Sequence, residues 1–194
     1  MDVETLERIA LALGAPLRID FGRDPRMDVA DAGHLAMQEL VLRQGRRCGY
    51  HGEFELPTRP SEPWRSVDVV LASEERHAMV CVECWNTIGD LGAAARASVR
   101  KAAELDALAA GLWGEDVTTA LVWVVRATAR NRSIVVRYPE VFASRFRGSS
   151  QGWVRALTEG GQVPAEPGLV WSDLAATRLF AWRRPRERDL AAST

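Results

Sequence analysis

Two valine-rich runs near the middle of the chain predict adjacent β-strands. They span 66–72 (SVDVVLA) and 78–85 (AMVCVECW) and are separated by the polar segment 73–77 (SEERH). Short apolar runs bounded by polar residues are typical of strands. Each run holds one acidic residue among apolar neighbours, Asp68 in the first and Glu83 in the second. An unpaired carboxylate in an apolar strand costs several kcal/mol, so the two acids together suggest a divalent-metal site.

The hydrophobic pattern of the rest of the chain alternates between helical and strand periods. This order predicts an α/β fold class, a mixed-sheet α/β sandwich. The pattern predicts helices at 3–13, 27–47, 90–112, 139–146 and 152–158, further strands at 49–57 and 118–127, a basic loop at 127–133, and closing aromatic segments at 168–174 and 177–184.

The longest predicted helix, 90–112, begins at the capping residue Asp90. Lys101, the only lysine in the chain, lies in the middle of this helix. The ordinary interpretation of such a lysine is an exposed helix residue. Apolar residues at helical spacing predict the buried face. Its expected members are Leu91, Ala94, Ala95, Val99, Ala102, Leu105 and Leu108.

Composition favours one soluble globular domain with a short appendage, since 47% of the 194 residues are hydrophobic and 26% are charged. The net charge of −1 gives no overall basic field that would indicate a nucleic-acid partner, although a local arginine patch would suffice. Cys48, Cys81 and Cys84 are expected to be buried, reduced thiols. The sequence shows no recognisable signal peptide and no apolar run of membrane length, so a cytoplasmic location without a membrane partner is expected.

Polar residues on flanking elements are candidates to join the two acids. His34 and Gln38 lie one helical turn apart and share a face, with Glu39 on the adjoining side. In the strand 49–57, alternation places Glu53 and Glu55 on one side, so Glu53 is a candidate third metal ligand. The alternative for the helix residues is a solvated face.

A cluster of arginines follows the strand 118–127, with Glu140 as the only acid among them. If any surface of this protein holds phosphates, this window is the expected one. The alternative is a solvated surface with scattered ion pairs. The window contains Arg126, Arg130, Arg132, Arg137, Arg145 and Arg147, of which the first four are the nucleic-acid-binding candidates.

The two acids resemble the motif of the PD-(D/E)xK nuclease-like superfamily, in which an Asp begins one strand and the next strand reads Glu-x-Lys. Here the second segment is Glu83-Cys84-Trp85, so Trp85 stands at the position of the lysine. The resemblance implies a restriction-endonuclease-like core for the mixed sheet.

Residues 27–184 taken end to end also resemble the C-terminal domain of a group of actinobacterial helix-turn-helix regulators. The segment 3–13 resembles the last helix of phage-repressor-like helix-turn-helix domains; its alternative is a helix that covers the core. The expected organisation is therefore a remnant segment 1–22, a nuclease-like domain 23–185 and a tail 186–194. The matching positions are His34, Glu53, the run 66–71, Glu83, Thr87 and Lys101, and the departures are Arg65 for Gly and Trp85 for Lys.

The resemblance implies that Asp68 and Glu83, with the carbonyl of Cys84, hold Mg²⁺. In that chemistry a lysine orients the attacking water and offsets developing negative charge, which Trp85 cannot do. Losing such a group typically lowers the rate by a factor of ~10³ or more. Some nuclease-like families place the lysine on the following helix, which makes Lys101 a catalytic candidate.

Three functions remain open from the sequence. The favoured one is a catalytically inactive or impaired nuclease-like domain that acts in DNA-linked regulation by contacting DNA or a protein partner. The first alternative is a Mg²⁺-dependent nuclease in which Lys101 is the relocated lysine. The second is a scaffold that forms homo-oligomers through exposed tryptophans and has no nucleic-acid role.

Overall fold

A computed structural model describes residues 25–59 and 65–183, with the backbone alone at 25–31, and the isolated positions Thr5, Arg8, Leu11 and Ala12. The chain divides into two compact units, Met1–Asp31 and Ala32–Thr194. The four isolated positions are helical, as predicted for 3–13. The rest of that predicted helix, most of the segment 1–22 and the tail 186–194 lie outside the described residues.

The described chain contains one six-stranded sheet and five helices. The sheet and the helices that follow β1 belong to the second unit. In chain order the elements are α1 (Pro25–Arg47), β1 (His51–Pro57), β2 (Ser66–Ser73), β3 (Ala78–Trp85), α2 (Leu91–Trp113), β4 (Thr118–Arg126), α3 (Ala129–Arg137), α4 (Pro139–Arg145), α5 (Ser150–Glu159), β5 (Gly168–Ser172) and β6 (Leu179–Ala181).

The strands lie in the sheet in the same order as in the chain. β1–β2, β2–β3 and β5–β6 are antiparallel, whereas β3–β4 and β4–β5 are parallel. Parallel neighbours need a crossover, which α2 supplies between β3 and β4 and the helices α3 to α5 supply between β4 and β5. The predicted mixed sheet of an α/β sandwich is therefore confirmed.

Helices cover both faces of the sheet, so the protein has two apolar cores. The central strand β4 is buried from Ala120 to Val125 and contributes to both, as predicted for a strand covered on both sides. On one face α1 and α5 pack through Met37, Leu40, Val41, Trp153 and Leu157. On the other, α2, α3 and α4 pack through Ala94, Ala95, Leu105, Ala109, Val135 and Phe142.

The buried face of α2 differs from the predicted one. Asp90 caps the helix as expected, since its side chain accepts a hydrogen bond from the backbone N–H of Ala93 at 2.9 Å. Val99 and Leu108, predicted to be buried, are 58% and 38% exposed. Ser98 is buried instead, because its hydroxyl accepts a hydrogen bond from the indole of Trp123 at 2.9 Å. A serine with such a partner can occupy a core position.

The predicted basic loop at 127–133 is wrong, because α3 begins at Ala129. Thr128 caps this helix, and its hydroxyl accepts a hydrogen bond from the backbone N–H of Asn131 at 3.1 Å. Val135 and Asn131 form its buried side. The arginine-rich segment therefore forms a short amphipathic helix, and Thr128 stabilises its first turn.

Candidate functional site

The side chains of Glu83 and Lys101 form a close ion pair between β3 and α2. The Lys101 ammonium lies 3.0 Å from Glu83 Oε1 and 2.9 Å from Oε2. The side chain of Glu83 is only 3% exposed and that of Lys101 18%. The valine-rich strand and the alanine-rich helix therefore bring together two charges that are eighteen residues apart in the chain.

Asp68 lies beside this pair on β2. Its Oδ2 accepts a hydrogen bond from the backbone N–H of Cys84 at 2.7 Å. His34 Nε2 lies 3.7 Å from the same oxygen, and the amide of Gln38 donates to the Asp68 carbonyl at 3.2 Å. Both α1 residues that share a predicted helix face therefore reach Asp68, whereas Glu39 is exposed and reaches neither acid.

The two acids are close enough to perturb one another. Burial raises the pKa of Glu83 to about 7, and the negative charge of Asp68 adds to the increase. The Lys101 ammonium and a hydrogen bond from the Asp68 backbone lower this pKa without offsetting the burial. The pKa of Asp68 is also raised, mainly by burial, while the Cys84 N–H, Lys101 and His34 act in the opposite direction.

Trp85 occupies the position at which the resembled Glu-x-Lys motif has a lysine. Its ring is half-buried and lies 4.8 Å from the ring of Trp123, at an interplanar angle of 41°. Its indole N–H is buried and has no hydrogen-bond partner within the described residues. Trp85 is therefore part of the core under α2, and the cation beside Glu83 comes from the helix.

Glu53 does not join the two acids. Its carboxylate is exposed and lies 3.4 Å from His51 Nε2 on the same strand. Glu55, with a left-handed φ of 45°, is the residue of β1 whose charge raises the pKa of Asp68. Among the described residues, no group of three or more His, Cys, Asp or Glu side chains could hold a metal ion.

The donor chemistry at the pair of acids nevertheless fits Mg²⁺. Carboxylate and backbone carbonyl oxygens are the ligands that this ion prefers, and it commonly uses one or two carboxylates with waters completing its shell. Asp68 and Glu83 supply two carboxylates, and Cys84, the residue after Glu83, supplies a backbone carbonyl. Because a carboxylate can accept about four hydrogen bonds or metal contacts, Lys101 does not exhaust Glu83.

The predicted phosphate-binding arginines fall into two groups. Arg126 donates from Nη1 to Asn86 Oδ1 at 3.0 Å and from Nε to the Leu174 carbonyl at 2.9 Å, so it is tied to the loops around it. Arg132 donates to the Ala127 carbonyl at 3.2 Å and stacks over the Trp171 ring.

Arg130 and Arg137 form the second group, since both are exposed. The Arg137 guanidinium lies over the Tyr138 ring, 5.7 Å from its centroid. Arg132 is exposed as well, whereas Arg126 is half-buried, and the nucleic-acid-binding role of the four arginines stays a prediction.

Sequence reasoning missed a buried amide next to this region. Asn131, fully buried, accepts a hydrogen bond from the Ile88 N–H at 3.0 Å and donates to the carbonyls of Asn86 and Arg126 at 3.0 and 2.9 Å. It joins the segments that follow β3 and β4. Ile88 and Asn86 lie more than forty residues away in the chain, and Asn131 itself lies in the predicted loop, so no local pattern indicated this buried amide.

A cavity of about 1070 Å³ lies away from the acids, at the end of the sheet formed by the β2–β3 turn. Arg76, Arg155 and the glycines 160–161 contribute to its lining, and none of Asp68, Glu83 and Lys101 does. Within the described residues, no helix combines the length and the apolar character that a membrane span requires.

Comparison with known proteins gives this chain no relative: no protein-family model, no characterised protein and no solved structure matches it. The nuclease resemblance and the helix-turn-helix resemblance therefore stay predictions.

Proposed function

We propose that this protein is a Mg²⁺-dependent phosphodiesterase of the nuclease-like type, in which Lys101 takes the place of the lysine that Trp85 replaces. The single observation that supports this is the position of the Lys101 ammonium. It lies within 3.0 Å of both oxygens of Glu83, next to Asp68. Two acids from adjoining strands and one cation are the groups that this chemistry needs.

Each residue of the candidate site has a distinct role in this proposal. Asp68 and Glu83, with the Cys84 carbonyl, would hold the metal ion. When bound, that ion polarises the phosphodiester and lowers the pKa of a water molecule. Lys101 places a positive charge where negative charge develops on the phosphate, and the surrounding burial strengthens that interaction. His34, through its contact with Asp68 Oδ2, is a positioning residue.

A plasmid-nicking assay with Mg²⁺ or Mn²⁺ tests the proposal. We expect cleavage by the wild type and a loss of ~10³-fold in Asp68→Ala and Lys101→Ala. Lys101→Arg, which keeps the charge but changes its shape, should retain part of the activity. Arg155→Ala is the control for general loss of positive charge, since Arg155 is exposed and lies outside the proposed sites. Cleavage that persists in Asp68→Ala would show that the activity belongs to another site or to a contaminant.

A second candidate function is a nuclease-like domain without catalysis that acts in DNA-linked regulation by binding nucleic acid or a protein. The observation that favours it is that Glu83 already has a cation partner, Lys101, and that its side chain is only 3% exposed. In this case gel shifts would show salt-sensitive DNA binding, weakened by Arg130→Ala plus Arg132→Ala, while no metal supports cleavage.

The described residues give the scaffold alternative no support. It required exposed tryptophans, and every tryptophan of the described chain is buried or half-buried. Trp64 lies outside the described residues.

A further inference from the structure

A groove of about 540 Å³ lies between the C-terminal turns of α1 and the strand β1. It lies away from the arginine window and contains none of its residues. Its wall is formed mainly by long basic side chains around one aromatic ring. The lining residues are Glu39, Leu42, Arg43, Arg46, Arg47 and Phe54.

The three arginines of the groove can contact an anionic ligand. Arg43, Arg46 and Arg47 are exposed and lie within little more than one turn of α1. None of them forms a salt bridge with a carboxylate in the part of the chain that the structure describes. Glu39 is the only acid of the lining, so the groove carries a net positive charge in a protein whose overall charge is −1. Such a concentration of charge attracts a polyanion.

Phe54 gives the groove a flat apolar surface. The ring is 48% exposed, although it lies in a strand next to the buried Val69. An exposed aromatic ring surrounded by guanidinium groups is the arrangement that binds single-stranded nucleic acids, where a base stacks on the ring and phosphates meet the arginines. A duplex conceals its base faces and cannot use the ring in this way.

The groove also lies near the candidate site. Phe54 pairs with Val69, the residue after Asp68, and Glu39 follows Gln38, whose amide bonds the Asp68 carbonyl. The groove therefore adjoins the Asp68 segment on the α1 face of the sheet, whereas Lys101 reaches Glu83 from α2 on the opposite face.

We propose that this groove binds single-stranded nucleic acid, with Phe54 stacking on one base and Arg43, Arg46 and Arg47 contacting the phosphates. The choice of a nucleic acid over an acidic peptide rests on the proposed function. If so, the substrate of the proposed phosphodiesterase site is a nucleic-acid strand with unpaired bases.

Fluorescence anisotropy of the full chain with a labelled oligothymidylate of about 15 nucleotides tests the groove, since binding sites of this kind span about 4–16 nucleotides. All titrations contain EDTA, so that binding is measured without cleavage. Phe54→Leu, which keeps an apolar side chain without a stacking surface, should weaken binding by about tenfold. Removal of all three arginines by Arg43→Ala, Arg46→Ala and Arg47→Ala should lower the salt dependence by about two units of log K per log salt.

The matched control removes the same charge from elsewhere on the surface, by Arg96→Ala, Arg155→Ala and Arg183→Ala, all three being exposed and outside both the groove and the arginine window. We expect less than about a threefold effect there. An equal loss in the control, or a duplex that binds as tightly as the single strand and ignores Phe54→Leu, would overturn the proposal. Competition by polyglutamate that is as strong as competition by unlabelled oligonucleotide would also overturn the proposal. An oligouridylate tested in parallel distinguishes RNA from DNA.

The two proposals fail in different ways. Binding that depends on Phe54 without any cleavage would leave the groove established and the phosphodiesterase refuted. Cleavage that depends on Asp68 while Phe54→Leu binds normally would refute the groove alone.

Discussion

Lys101 on α2 donates to both carboxylate oxygens of Glu83 on β3, at 3.0 and 2.9 Å, where Glu83 is almost completely shielded from water. The pair joins the helix to the strand at a position that apolar side chains surround. Above about pH 7, where Glu83 is ionised, the two opposite charges compensate one another in this buried position. The same contact supports the proposed chemistry and affects the stability of the fold.

Removal of the Lys101 charge should destabilise the protein. In Lys101→Met the Glu83 carboxylate stays buried without a cation, and breaking a buried pair in this way typically costs about 3–5 kcal/mol. Urea unfolding at mildly alkaline pH measures the effect. The control Arg96→Met removes an exposed charge from the same helix and should stay within about 0.5 kcal/mol of the wild type. A double variant with Glu83→Gln should recover part of the loss, and strictly additive losses would contradict a direct interaction.

The raised pKa of Glu83 predicts how stability depends on pH. The folded protein keeps a proton on Glu83 up to about pH 7, whereas the unfolded chain releases it near 4.5. The native state therefore binds more protons in this window, so the free energy of unfolding falls as the pH rises from about 4.5 to about 7. The shift corresponds to a contribution on the order of 3 kcal/mol.

Urea unfolding at a series of pH values in metal-free buffer, compared with Glu83→Gln, checks this contribution. The variant should lack the decline, because a glutamine does not titrate. The carboxyls of Glu104 and Asp173, whose pKa values are lowered, lose their stabilising effect only at more acidic pH. Parallel profiles for the wild type and Glu83→Gln would show that Glu83 is ionised throughout the window.

Ser98 provides a test of the buried face of α2. In Ser98→Ala the indole N–H of Trp123, a residue only 1% exposed, loses its acceptor, which should cost about 1–3 kcal/mol. Thermal and urea unfolding measure the loss. Ser133→Ala is the matched control, because the Ser133 hydroxyl bonds only the Arg130 carbonyl on an exposed helix face. Equal stability of the two variants would show that the indole has another acceptor.

The strands that carry the two acids could be predicted because their signal is local. The runs 66–72 and 78–85 are apolar over almost their whole length, and the cap at Asp90 is a single-residue signal. The phase of α2 could not be predicted in full. Hydrophobicity favours Val99 over Ser98 as a core residue, and only the position of the Trp123 indole reverses that order.

The partners of Lys101 and Asn131 could not be predicted for a related reason. A lysine on a helix is exposed by default, and its contact with Glu83 depends on the depth at which α2 packs over β3. Asn131 lies in an arginine-rich segment, and its buried amide is recognisable only after β3 and β4 have become neighbours. Non-local polar contacts of this kind follow from the fold and leave no periodic pattern in the sequence.

Asn131 supports the last prediction. In Asn131→Asp the acceptor for the Ile88 N–H is kept, but two donated hydrogen bonds are replaced by an oxygen that faces the carbonyls of Asn86 and Arg126. We expect a loss of about 2–5 kcal/mol at mildly alkaline pH, where the buried carboxyl is forced to ionise.

The loss should shrink at acidic pH, because the protonated carboxyl can donate one of the two bonds again. Unfolding at both pH values measures the difference, and Ser133→Asp adds the same charge to the exposed side of the same helix as a control. A carboxyl at position 131 that costs no more than the control would mean that water reaches this amide. The connection between the segments after β3 and β4 would then depend mainly on the Arg126 bonds to Asn86 and Leu174.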